Sequence, residues 1–91
     1  MTREQIEVFL RQFDVEGIET VFLIDGHDDA FIGLDASHPP RAIYSVEKII
    51  KRLRKEMSEE EAWEYFGFNI EGAHLGEQTP ILVRTKENQK K

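Results

Sequence analysis

Five consecutive residues, Asp25-Gly26-His27-Asp28-Asp29, put three carboxylates and an imidazole into one short stretch. Carboxylate oxygens in that density can ligate a hard cation such as magnesium or calcium. Paired aspartates can also act as acid and base, provided burial or mutual repulsion raises one of their pKa values. Glu77, in a later glycine-bearing segment, would join the set if the two segments meet. The spacing lacks the alternating acidic or amide residues and the closing glutamate of a calcium loop. A turn accounts for the same residues more simply: Asp25 closes a strand, Gly26 takes a positive φ, and Asp28 or Asp29 bonds local backbone amides. The turn reading outweighs a catalytic or metal-binding one, and a divalent metal is not favoured.

The second candidate is Gly72-Ala73-His74-Leu75-Gly76-Glu77-Gln78-Thr79-Pro80. Two glycines ahead of a strand let backbone approach a ligand, or simply end a helix and turn the chain. The lysine and hydroxyl residue of a phosphate-binding P-loop are absent, and the order of elements is wrong for a dinucleotide fingerprint. The histidines His27, His38 and His74 have no i, i+4 partner, so ligation would need a tertiary cluster. Ser37, Ser45 and Ser58 lie at a connection or at helix starts, without the glycine-flanked elbow of a serine hydrolase. No catalytic residue is nominated, and the expectation is a non-enzymatic protein. The candidate binding residues are Asp25, Gly26, His27, Asp28, Asp29, His74 and Glu77 in the two loops, with Trp63 and Tyr65 as aromatic contacts.

The elements that must position these residues follow from periodicity. Thr2 and Gln5 form a capping-box pattern ahead of Ile6, Phe9, Leu10 and Phe13, which predicts a helix running roughly to Phe13. Gly17 ends it, and Ile18 to Asp25 then reads as a strand apolar on both faces. Phe31 to Leu34 is its expected hairpin partner across the acidic turn. Pro39 and Pro40 mark a connection, and Arg41 to Tyr44 a short third strand. Ser45 caps a helix with Val46, Ile49, Ile50, Leu53 and Met57 on one side. Ser58 and Glu61 open another, in which Gly67 fits a close contact or marks a bend and Gly72 is the stop. Pro80 to Val83 reads as a last strand.

The expected fold is therefore α+β, a small mixed or antiparallel sheet of about three to four strands packed with about three helices. Trp63, Phe66, Phe22, Ile24, Ile49 and Leu53 are the expected core. Residues 1 to 85 make one domain and 86 to 91 a polar tail. The 91 residues carry a formal charge of −6 and no cysteine, which removes disulfides and thiolate zinc sites and makes nucleic acid an unlikely partner. No apolar run reaches the length of a membrane span, and no signal-peptide core is present, so the chain reads as cytoplasmic with no membrane partner.

Charge is segregated along the chain. Lys48, Lys51, Arg52, Arg54 and Lys55 crowd one helix, and Glu59, Glu60, Glu61 and Glu64 the next. Such faces can dock on a partner or on a second copy, or the adjacent helices can neutralise each other.

Four segments share a pattern with known sequences: Asp25-Gly26-x-Asp28-Asp29-Ala30-x-x-Gly33, Ile43-Tyr44 followed by Glu47-Lys48-Ile49-Ile50, Met57-Ser58-x-Glu60-Glu61-Ala62-x-Glu64-Tyr65-Phe66-x-Phe68-Asn69, and Gly72-Ala73-x-x-Gly76-Glu77-x-Thr79-Pro80. Together, over residues 20 to 83, they resemble a family of small accessory proteins of tailed bacteriophages and prophages, one without an assigned biochemistry. His27 and Gly67 depart from it, where an aromatic or leucine and an acid are usual. The resemblance implies action in the cytoplasm of a bacterial host cell and implies no reaction. Three roles are consistent with these features. The favoured one is binding of a host or phage protein, for example to modulate host metabolism or defence. The second is a pocket for a metal, a nucleotide or another small ligand, formed by the Asp25–Asp29 turn and the Gly72–Pro80 loop. The third is a structural homo-oligomer in which a second copy covers the two-sided strand.

Overall fold

In the computed structural model, which describes residues 1 to 85, both expected capping boxes are formed. The Thr2 hydroxyl accepts from the Gln5 N–H at 3.1 Å, and the Gln5 side chain accepts from the Thr2 N–H at 2.9 Å. Ser58 and Glu61 repeat the exchange at 3.1 and 3.0 Å. These caps start α1 (Arg3–Leu10) and α3 (Glu59–Phe66), and Ser45 starts α2 (Val46–Leu53) by accepting from the Lys48 N–H at 3.2 Å. Each helix ends earlier than its apolar periodicity suggests. Phe13 follows α1 in a tighter turn, with its N–H on the Leu10 carbonyl, and Met57 packs on the core from beyond α2.

The fold is α+β, with a mixed sheet among the described residues in the order β1-β2-β3: β1 is Phe31–Leu34, β2 Ala42–Ser45 and β3 Ile81–Val83. β1 pairs antiparallel with β2, with a bulge between Phe31 and Gly33, and β3 pairs parallel with β2. A parallel neighbour needs a long crossover, and α2 and α3 supply it. The polar tail expected over Lys86 to Lys91 lies outside the described residues.

The expected strand over Ile18 to Asp25 does not form, and with it goes the hairpin. Gly17 has φ +88° and leads into a 3₁₀ turn, Ile18–Thr20. Val21 is extended, and residues 21 to 24 belong to no ladder. Strand propensity is a local bias, whereas pairing requires a free sheet edge at the right place. In place of a hairpin, the chain turns at Asp25-Gly26 and passes through a second 3₁₀ turn, Asp28–Ala30, which delivers Phe31 into β1.

The core is built from Ile6 of α1, Phe31 of β1, Tyr44 of β2, Ile49 and Leu53 of α2, and Ala62 and Phe66 of α3. Phe9, Phe31 and Tyr44 run through it as edge-on rings with centroids 6.0 and 5.7 Å apart. Ile49, Leu53 and Phe66 are buried as expected and Ile24 is partly buried, but Phe22 and Trp63 are exposed. Phe22 alternates with Val21 and Leu23, which take the inner side. Trp63 follows Ala62, and one helical step carries it off the buried line of Ala62 and Phe66. It lies on the flank, edge-on to Phe66 at 5.9 Å, with the Arg84 guanidinium 5.5 Å from its ring.

Candidate functional site

Arg3 holds the acidic turn. Its Nε and Nη2 donate to Asp28 Oδ1 at 3.1 and 3.0 Å, and Nη2 donates to Asp25 Oδ1 at 3.2 Å. Two of the three aspartates are thereby engaged by the first turn of α1. The one sequence signal for this was a cation at a helix N-terminus, where the dipole favours acids. His27 points inward and is 8% exposed, with Nδ1 buried and unpartnered. Burial lowers its pKa and the charge of Arg52 adds to that, against the opposing pull of Asp28. Asp29 borders an open groove of about 360 Å³ whose other lining residues are Lys48, Lys51, Arg52 and Lys55.

The glycine-bearing segment is organised by two side chains. Thr79 Oγ1 accepts from the Leu75 N–H at 2.7 Å and donates to the Gly76 carbonyl at 2.8 Å, closing a turn in which Gly76 has φ +92°. Gln78 is buried, and its Nε2 donates to the Gly17 and Pro40 carbonyls at 2.8 and 3.1 Å while its Oε1 accepts from Thr20 Oγ1 at 2.7 Å. It joins three loops, a role that its sequence context did not announce. His74 and Glu77 are exposed.

The two loops line different cavities. Gly26, Asp28 and Asp29 share one with Thr2, Arg3 and Arg52. Leu75 and Thr79 share another, of about 120 Å³, with Leu23, Ile24, Ile70 and Leu82, and its walls are largely apolar. Among the described residues no three histidine, aspartate or glutamate side chains converge on a point where a metal ion would sit.

The aromatic candidates behave differently. After Phe66 the helix widens into a π turn, Gly67–Glu71, and the space around Gly67 is open. Gly67 thus marks a change of winding and is not a close contact, and Gly72 is the stop. The wider turn keeps Ile70 against the core but leaves Phe68 85% exposed. Tyr65 is exposed beside it, and the Asn69 amide donates to the Tyr65 carbonyl at 3.2 Å. Tyr65 and Phe68 border a shallow groove of about 520 Å³ with Met57, Glu56, Glu61 and Glu64. The structure therefore makes a face of Tyr65 and Phe68, with Trp63 on the same helix. The sequence marks Trp63 and Tyr65 as aromatic contacts but not Phe68, whose position just beyond the α-helical stripe is the available signal.

The charged helices are not joined by ion pairs: among the described residues no cation of α2 forms an ion pair with a carboxylate of α3, and the ion pairs present are those of Arg3 and Arg84. No described helix is long and apolar enough to cross a membrane. No family model, curated protein or solved structure matches this chain.

Proposed function

We propose that this chain is a non-enzymatic accessory protein of phage origin that works by docking on a host or phage protein, and that the docking surface is the acidic-rimmed aromatic face of α3 and its π turn. The observation that carries this reading is Phe68, a phenylalanine 85% exposed at a place where the helix changes winding. Burying such a side chain is worth about 1.5–3 kcal/mol, and aromatic anchors ringed by polar groups are the usual source of interface affinity. Glu56, Glu61 and Glu64 around it favour a partner whose apolar seat is bordered by cations. The phage setting rests on the sequence resemblance. The ligand-pocket reading is weakened by Arg3, which engages Asp25 and Asp28, and by the separation of the two loops into different cavities.

The test is affinity capture, with the tagged wild-type chain and Phe68→Ser as paired baits, from a lysate of bacteria that also express the untagged chain. Loss of an anchor worth about 2 kcal/mol lowers capture roughly thirtyfold, while an exposed substitution leaves the melting temperature nearly unchanged. Equal capture by the two baits, or capture by neither, would overturn the reading.

A further inference from the structure

We infer that the partner accepted by the acidic aromatic face is a second copy of this chain, bound head to tail through the basic face of its α2. The inference rests on the reading of Tyr65 and Phe68 as a docking surface and adds the identity of what docks there. Lys48, Lys51 and Arg52 share one side of α2 at i, i+3 and i+4, and Lys55, in the turn that follows α2, lines the same groove. The opposite side is committed to the core through Ile49, Ile50 and Leu53. All four cations are exposed, and among the described residues none has a carboxylate partner. They form the wall of an open groove of about 360 Å³ in which Asp29 is the one acid.

The complementary surface is on the same molecule. Glu56 and Glu64 flank Tyr65 and Phe68, are exposed, and have no cationic partner among the described residues. Glu61 is engaged in the capping box of α3. Like faces repel, so the favourable contact between copies is between unlike faces, a heterologous contact. The chemistry suits aromatic docking as well as charge. Lysine and arginine present apolar stems beneath their charged heads, and a guanidinium stacks on an aromatic face. The chain already uses that pairing internally, with Arg84 placed 5.5 Å from the ring centroid of Trp63.

The experiment is sedimentation velocity on the full chain across a concentration series, at low salt and at 1 M salt, where the Debye length shrinks to about 3 Å. It compares the wild type with Lys51→Glu/Lys55→Glu, which removes the basic face, and with Tyr65→Ala/Phe68→Ala, which removes the aromatic one. Arg52 is left in place because it neighbours buried His27, and Glu61 because it caps α3. The wild type is expected to sediment faster as concentration rises at low salt and to revert towards monomer at high salt. Each variant alone is expected to stay monomeric, and an equimolar mixture to form a one-to-one complex, because each supplies the face that the other lacks. A wild type that stays monomeric at every concentration in low salt overturns the inference, as does a mixture that forms no complex. If Phe68-dependent capture of a different protein persists in either case, the proposed function stands and only the identity of the partner falls.

Discussion

The main-chain N–H of Ile24 donates to the Oη of Tyr44 across 2.9 Å, and this bond joins a segment that has no strand partner to the central strand of the sheet. Tyr44 is fully buried, and burial raises its pKa, so the phenol stays neutral at any physiological pH. Replacing it with phenylalanine keeps the ring packing and leaves the Ile24 N–H without its acceptor. The expected cost of Tyr44→Phe is about 1–2 kcal/mol, or a fall in melting temperature of roughly 4–12 °C for a domain of this size. Thermal unfolding followed by circular dichroism checks it, and an unchanged midpoint would mean that the segment is held by packing alone.

Gln78 is expected to be the most sensitive polar residue. Gln78→Leu preserves bulk but strands the Pro40 carbonyl, whereas the Gly17 carbonyl keeps the Thr20 N–H and hydroxyl as donors. A loss of about 1–3 kcal/mol follows from leaving such a group unsatisfied. Urea titration measures it, and a loss below about 0.5 kcal/mol, the range of an ordinary surface change, would show that water replaces the side chain freely.

Gly17 combines two constraints. Its φ is +88°, and a Cβ there would sit 2.5 Å from the Pro39 Cβ. Gly17→Ala is therefore expected to destabilise by about 2–4 kcal/mol, combining left-handed strain with overpacking. Gly26→Ala is the control, since its φ of +85° carries the backbone strain while the space around it is open. Equal losses in the two variants would remove the Pro39 contact from the explanation.

Acidification should act through His27. Its pKa lies below the ordinary 6.5 because burial and Arg52 disfavour the imidazolium more than Asp28 favours it. The unfolded chain then binds the proton more readily than the folded one, so stability is full above about 6.5 and falls as pH drops through the window beneath it. Asp35 and Glu47 act in a lower window. Burial raises both, but hydrogen bonds outweigh it, from the Arg41 N–H and Ser37 to Asp35 and from Thr85 to Glu47. Their contribution is lost only as pH falls below the ordinary carboxylate values. Denaturant midpoints taken between about pH 7.5 and 5.5 should fall for the wild type and stay level for His27→Leu, which removes the titrating group. Parallel curves would assign the acid sensitivity elsewhere.

Local signals were legible wherever a few adjacent residues decide the outcome. Thr2 with Gln5, Ser58 with Glu61, and Ser45 ahead of Val46, Ile49 and Leu53 located the starts of the helices, because a cap and an amphipathic turn are short-range interactions. The prolines before β2, the apolar run of β1 and the α+β class were readable for the same reason. The acidic turn drew notice for its composition, but the partner of Asp25 and Asp28 is Arg3, more than twenty positions away.

Tertiary structure decided which groups meet. Residues 21 to 24 have strand composition, yet the sheet gives its one antiparallel place beside β2 to β1 and its parallel place to β3. Gln78 reads as an ordinary loop residue in the sequence, and only the fold brings two distant segments, Gly17–Thr20 and Pro40, onto it. The exposure of Trp63 and Phe68 depended on where α3 and its π turn lie against the core, which periodicity alone does not set. Hydrophobic pattern and capping act over one or two turns of chain, whereas strand pairing, ion pairing and the burial of a given face depend on how all the elements pack at once.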